Sequence, residues 1–358
     1  MNKKVDVCIV GGGPGGALLA NLLAKNNVSV LLVERTNDFA KAFRGEHLNE
    51  EGEHVLKQHG IYERVEQLGL LKMETLEYWK NGTCIKTVVP DAQVGHLGIH
   101  VPQAHLLEAI LEQAKSYPSF DYALNTTVKK LIQNEQGQYT AVRAVQNGEE
   151  CTIEAQLIIG ADGRHSIIRK LANLDATIRS HGYDLLWARI PAPENWSPSI
   201  KMTLIDGMQI SIFTQAKGFV QIGWNIEKGS FPQLRKEPFT PFIEKLCQAF
   251  PQLADTVTQH ITSWKDFVML DVFSSTSKEW EKDGVVLIGD AVHTMTPTGA
   301  YGLNSALMDA HILAQVLLEK EPFDYVSCAT QRKQQIEKIQ AIQIEKEQKF
   351  SEAFVLYS

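Results

Sequence analysis

A short apolar run, a glycine-rich turn, a helical stretch, a second apolar run and an acid follow one another over residues 5–34, VDVCIVGGGPGGALLANLLAKNNVSVLLVE. No other segment constrains the fold as strongly. Gly11, Gly13 and Gly16 stand at GxGxxG spacing directly after the β-branched run. Gly11 allows a tight turn, Gly13 has no side chain to block a pyrophosphate, and Gly16 lets the helix pack close to the strand. The helix start then offers free N–H groups and the positive end of its dipole to a phosphate. Glu34 ends the second run, where a carboxylate can bond a ribose hydroxyl, and Arg35 follows it. A glycine turn that only packs a helix on a sheet does not need that acid. The stretch therefore predicts a dinucleotide site on a Rossmann-like unit.

The bulk numbers bound what surrounds that unit. With 358 residues the chain can bury one large core or two smaller ones. Its 44% hydrophobic and 22% charged residues are ordinary for a soluble enzyme. A net charge of −7 without any Lys/Arg cluster disfavours nucleic acid as a partner. Cys8, Cys84, Cys151, Cys247 and Cys328 are scattered, with no CxxC and no metal spacing. A reducing compartment is expected, and neither a metal site nor a dithiol centre is. No apolar run approaches the ~20 residues needed to span a bilayer. The N-terminus runs straight into a strand, so no signal peptide and a cytoplasmic location are expected.

Periodicity organises the rest. Residues 47–71 and 103–116 read as helical, and 76–89 as a hairpin turning at Asn81-Gly82. Residues 125–132, 139–146 and 150–155 look like a small antiparallel set, and 157–163 like a separate buried strand. Alternating strands fill 182–226, a helical piece covers 238–260, and another strand falls near 267–273. A short apolar strand follows at 285–288, a strong helix at 304–319 and a charged helical tail at 331–357. The expected fold is α/β: one Rossmann-like dinucleotide-binding domain, discontinuous in sequence, with an inserted antiparallel β-sheet domain and a C-terminal helix. Its pieces are placed at 1–72, 97–178 and 268–320, the insert at 73–96 and 179–267, and the tail at 321–358.

Two further motifs carry chemistry. Gly289-Asp290 follows the strand VVLI and precedes AVHTMTPTGAYGLNSALMDA. An Asp at a strand's carboxyl end is placed to bond a polyol hydroxyl. Pro297 and Gly299 shape a turn, and Gly302 opens a helix whose free N–H groups point at a negatively charged atom. The other motif is GADGRHSIIR, residues 160–169, containing Asp162 and Gly163. Taken alone, it reads first as a plain strand-to-helix turn, since Asp-Gly is common turn chemistry.

The order and spacing of these motifs resemble the FAD-dependent aromatic hydroxylases, the class A flavoprotein monooxygenases of the para-hydroxybenzoate hydroxylase type, over about residues 1–320. The resemblance implies that Gly11, Gly13, Gly16 and Glu34, with Arg35 beside them, bind the ADP part of FAD. It implies that Asp162 and Gly163 lie near both FAD and the NAD(P)H path. Gly289 and Asp290 would bond the ribityl chain. Pro297 to Asn304, including Gly299, Gly302 and Leu303, would line the flavin ring, with the Pro297 carbonyl at the peroxide. Arg44 matches an arginine that reaches FAD, and Gln103 falls where relatives carry Arg or Gln near the cofactor. NADH or NADPH would reduce FAD, and one atom of O2 would pass through a flavin C4a-hydroperoxide to a small aromatic or polyketide-like metabolite. A single GxGxxG implies no second nucleotide domain. Tyr301 stands where Gln or Lys is frequent, and no phenol-activating tyrosine pair can be assigned.

The insert is expected to supply the substrate pocket. Trp187, Phe213 and Trp224 are the candidate walls, with Trp79 beside them, although each taken singly reads first as sheet core. A monomer or homodimer is expected. Two other readings remain: a halogenase or geranylgeranyl-reductase-like enzyme on the same fold, and a non-catalytic flavin-binding regulator or partner subunit. The halogenase motif WxWxIP is not matched by GWNIEK at 223–228.

Overall fold

The β-branched run at the N-terminus forms β1 (Asn2–Val10), the glycine turn leads into α1 (Pro14–Lys25), and the second run forms β2 (Val30–Val33). In the computed structural model, which describes residues 2–39, 46–319 and 325–354, these three elements found the first of two compact units. That unit comprises 1–68, 103–179 and 274–341; the second comprises 69–102, 180–273 and 342–358.

The sheet of the first unit has a parallel centre. Phe120–Ala123, β2, β1, Glu149–Gly160 and Val285–Leu287 lie side by side in that order, each parallel to its neighbour. From β1 the chain first adds strands on one side, then returns to add the others on the opposite side. The switch point falls between β1 and Glu149–Gly160, where an open α/β sheet leaves a crevice beyond its carboxyl ends. Ten consecutive residues of α1, Gly15 to Ala24, are buried. The helix is covered by Gln103–Lys115 and Tyr301–Leu318, which explains why its sequence is apolar on nearly every side, the buried Asn21 donating to Gln113 at 2.6 Å.

Residues 150–155 and 157–163, expected as two strands, form one. Glu149–Gly160 runs unbroken, pairing parallel with β1 from Thr152 to Gly160 and antiparallel with Tyr139–Gln146 from Glu149 to Glu154. Gln156 reads as a break because it is polar, yet it stays extended with its Nε2 donating to Asp6 at 3.1 Å.

The second unit is built on a seven-stranded sheet in the order Val268–Leu270, Tyr183–Pro191, Phe219–Glu227, Met208–Gln215, Ser199–Ile205, Thr75–Lys80 and Thr83–Val88. The last two form the expected hairpin, with Asn81 and Gly82 at φ 51° and 75°, the left-handed pair that a two-residue hairpin loop requires. One sheet face, carrying Leu186, Ala188, Ile210, Ile212, Ile222 and Trp224, packs against the helices Phe239–Ala249 and Ala254–His260. Strand alternation sends the intervening residues to the other face.

The tail is shared. In Tyr325–Lys349, Ile336 is fully buried in the core of the first unit. Further along, Glu347 accepts from Tyr183 Oη at 2.9 Å and pairs with His181 at 2.8 Å, both in the second unit. Among the described residues no helix is long and apolar enough to cross a membrane.

Candidate functional site

The motif residues collect at the carboxyl ends of the parallel strands. Gly11 follows β1, Glu34 follows β2, Ala161 to Gly163 follow Glu149–Gly160, and Gly289-Asp290 follow Val285–Leu287. Their different places in the chain are brought together because consecutive parallel strands end on the same edge.

The three glycines have distinct reasons to be glycine. Gly11 has φ +114°, and a β-carbon there would lie 2.2 Å from the Ala161 carbonyl oxygen. A β-carbon on Gly16 would lie 2.1 Å from the Gly11 carbonyl oxygen. Gly13 differs: it has an ordinary φ of −74°, and a β-carbon would meet none of the described residues within 4 Å. No atom of the described residues demands glycine at 13, so the space beyond it is what a phosphate would fill. Glu34 is 3% exposed. Its Oε2 accepts the Gly12 N–H at 2.8 Å, and its Oε1 accepts from the Thr36 N–H at 3.1 Å and hydroxyl at 3.0 Å. The acid therefore ties β2 to the glycine turn. Arg35 is exposed at the same strand end.

Asp162 serves the turn itself. Its carboxylate accepts from the Ser166 hydroxyl and from the Ile167 and Ile168 N–H groups, at 2.6 and 3.2 Å for the latter two. Ser166 in turn caps the helix Ile167–Leu171 through the Arg169 N–H. Burial raises the Asp162 carboxyl pKa against the lowering effect of these bonds. Gly163, at φ +85°, supplies the left-handed step.

At the third motif Asp290 is half-buried at its strand end. Pro297 opens a turn whose carbonyl accepts the Ala300 N–H at 3.0 Å. Gly299 has φ +75°, and Ala300 follows at φ +56°, a strained conformation for a residue with a β-carbon. The Tyr301 ring lies where a Gly299 β-carbon would project, 2.5 Å from that point. Helix Tyr301–Leu318 starts here, and its first-turn N–H groups lack intrahelical acceptors. Around Gly302 none of the described residues comes within 4 Å of a β-carbon. Leu303 is half-buried and Asn304 is 1% exposed. The Asn304 amide braces the site: it accepts from the Asn49 N–H and donates to the His47 and Ala300 carbonyls.

Gln103, 5% exposed at the start of Gln103–Lys115, has an Oε1 without a hydrogen-bond partner among the described residues. An orphaned buried amide atom, the open space at Gly13 and the glycine-forced turn at Gly11 together fit a bound dinucleotide. Arg44 lies outside the described residues. No group of three or more His, Cys, Asp or Glu among the described residues is placed to hold a metal.

The candidate substrate walls separate. Trp187, Gly223, Ser211, Met202 and Tyr78 form one row across the open face of the second unit's sheet, and Gln221, Phe213, Ile200 and Leu76 the next. Trp187 and Phe213 are half-buried there. Trp224 faces the other way: it is 3% exposed and stacks on Phe242 with ring centroids 3.9 Å apart. It is a core residue, as is the reading for Trp79, which packs against the same cluster. Sequence reasoning also missed Asp309, whose signal was an acid within an apolar helix, and Arg332, which had none.

The chain matches the family model described as FAD binding domain over residues 4–321. It is 33% identical over 317 residues to 6-methylpretetramide 4-monooxygenase of Streptomyces rimosus, covering 88% of this chain and 75% of that protein. A crystal structure of P. aeruginosa PqsL in complex with 2-aminobenzoylacetate superposes with a TM-score of 0.84 at 20% identity, covering 98% of this chain and all of that one. The p-nitrophenol 4-monooxygenase PnpA from Pseudomonas putida superposes with a TM-score of 0.83 at 18% identity, covering 97% of this chain and 89% of that one.

Proposed function

This chain belongs to the FAD binding domain family of flavoprotein monooxygenases, and from that premise we propose that it inserts one oxygen atom into a fused-ring aromatic or polyketide-like compound. The enzyme is an FAD-dependent monooxygenase that draws electrons from a nicotinamide donor. Bound FAD supplies the electron transfer and the activation of dioxygen.

The chain's own residues bind and orient. Gly11, Gly13, Gly16 and Glu34 hold the ADP part, with Gln103 and the arginines at 35 and 44 as further candidates. Asp162 and Gly163 fix the neighbouring turn. Gly289 and Asp290 take the ribityl chain. The start of Tyr301–Leu318 presents its N–H groups, and the positive end of its dipole favours negative charge on the ring. The Pro297–Ala300 turn is held by its own hydrogen bond, so its carbonyl is fixed before substrate arrives.

The observation that carries the substrate class is the open sheet face. Its row from Trp187 through Gly223, Ser211 and Met202 to Tyr78 has small residues in the middle and large apolar ones at the sides. Those five residues are uncharged, while Lys86 lies over the Tyr78 ring at one edge and Arg189 begins the next row opposite Gln221, so the middle of the face favours a flat ring system. The 33% identical relative, named for action on 6-methylpretetramide, points the same way.

The test incubates the purified yellow protein with NADH or NADPH and a panel of polycyclic phenols under heavy-isotope dioxygen. The expected product carries one heavy oxygen atom and forms only in the presence of dioxygen. A product that is reduced or halogenated, or that forms equally under nitrogen, overturns the reading.

A further inference from the structure

Asp309 lies within the apolar helix Tyr301–Leu318 and is 4% exposed. Nothing in the binding roles above calls for an acid there, and a buried carboxylate is costly unless paired. Its partners are specific. Oδ2 accepts the Gly289 N–H at 2.8 Å and binds His293 Nε2 at 2.6 Å. Oδ1 accepts from Arg332 Nε at 2.7 Å. Arg332, 6% exposed, also donates to the Ser305 carbonyl at 3.1 Å and to Gln335 at 2.9 Å. Burial alone would raise the Asp309 carboxyl, but His293 and Arg332 outweigh it and hold it well below the usual carboxylate range.

This carboxylate joins three things. Gly289, at φ +58°, is the first residue of the Gly289-Asp290 turn, and its N–H is fixed by Asp309. Asp309 sits on the same helix whose N-terminus follows the Pro297–Ala300 turn. Arg332 comes from Tyr325–Lys349, beyond residue 321 where the family match ends. The guanidinium bonds both the carboxylate and the Ser305 carbonyl, so it pins the helix as well as the acid.

We propose that Asp309 is a positioning residue for FAD, and that Arg332 makes FAD retention depend on the C-terminal helix. The acid acts through the Gly289 peptide, which it aims; it does not touch the cofactor. The proposal rests on the reading that the Gly289-Asp290 turn seats FAD.

The test titrates FAD into apoprotein by fluorescence quenching, and follows apoprotein thermal unfolding in parallel. Asp309→Asn and Arg332→Gln are each expected to raise the FAD dissociation constant about tenfold, the scale of a lost buried bond to a charged group. The double variant should lose little more than either single one, because the two residues act as one unit. Arg332→Lys keeps the charge without the fork and should fall in between; it also serves if the other variants fail to fold. Asp290→Ala is the control for the underlying reading. If Asp290→Ala leaves FAD affinity unchanged, the assignment of the turn fails. If Asp290→Ala weakens FAD while Asp309→Asn, Arg332→Gln and Arg332→Lys only lower apoprotein stability, with affinity within about twofold of the parent, a stabilising ion pair is all there is and the proposal is overturned.

Discussion

Gly16 sits so close to Gly11 that a β-carbon on it would lie 2.1 Å from the Gly11 carbonyl oxygen. That oxygen is backbone and cannot swing aside, so any larger residue must push α1 away from the end of β1. Gly13, three residues earlier, meets no such obstacle among the described residues. The two positions therefore separate fold from ligand. Gly16→Ala should destabilise the apoprotein by about 1–3 kcal/mol, the usual scale of overpacking. Gly13→Ala should leave apoprotein unfolding unchanged and weaken FAD binding. Thermal unfolding of the apoprotein alongside FAD titration checks both, and a Gly13→Ala protein with parental FAD affinity would refute the phosphate role.

Glu34 supports a second prediction. Its two oxygens take the Gly12 N–H, the Thr36 N–H and the Thr36 hydroxyl. Glutamine has the same shape but only one acceptor oxygen. Glu34→Gln must therefore leave a backbone donor facing an amide N–H₂ group, and should weaken FAD binding about tenfold or more. Fluorescence titration of the apoprotein measures it, and an unchanged dissociation constant would remove Glu34 from the site.

The reach of the sequence follows from the range of each constraint. The roles of Gly11 and Gly16 are readable because their obstacles lie within a few residues or on the adjoining strand. The alternation in residues 219–226, FVQIGWNI, correctly assigns residues to two faces. It does not say which face is covered. That is decided by helices Phe239–Ala249 and Ala254–His260, which claim Trp224 and leave Phe213 on the open face. The same limit hides Arg332: nothing in the charged tail marks which of its charges turns inward, and only the fold brings that guanidinium to Asp309. Gln156 misleads in the opposite direction, since a polar residue at an outward strand position interrupts the pattern without interrupting the strand.

A pH effect follows from His59. Its Nε2 lies 2.9 Å from His311 Nδ1. Burial, then the neighbouring His311, then Lys25 lower its pKa from 6.5 to about 4. His54 bears on the partner ring in turn. Between those two values the unfolded chain binds a proton that the folded chain refuses, so stability rises with pH across that window. The contribution is present above pH 6.5 and is lost as the pH falls toward 4. His59→Gln should flatten this part of the acid limb while leaving unfolding near pH 8 little changed. Thermal midpoints of both proteins from pH 4 to pH 8 decide it; parallel curves would show that the pair does not titrate on unfolding.

The two faces of the second unit's sheet give the last prediction. Trp224 is buried against Phe242, with the rings 17° from parallel. Trp224→Ala removes most of a buried aromatic side chain and should cost about 3–5 kcal/mol. Phe213 is half-buried and pairs in register with Gln221 and Ile200 on the open face. Phe213→Ala should cost only about 1 kcal/mol, because part of its area is already in water. Its larger effect should be on KM for the aromatic substrate, with FAD affinity unchanged. Trp187→Ala should act in the same way, since its ring lies over Gly223 on the same face. Chemical denaturation and steady-state kinetics on the three variants distinguish the roles. If Phe213→Ala and Trp187→Ala leave KM untouched while Trp224→Ala raises it without loss of stability, the substrate face has been assigned to the wrong side of the sheet.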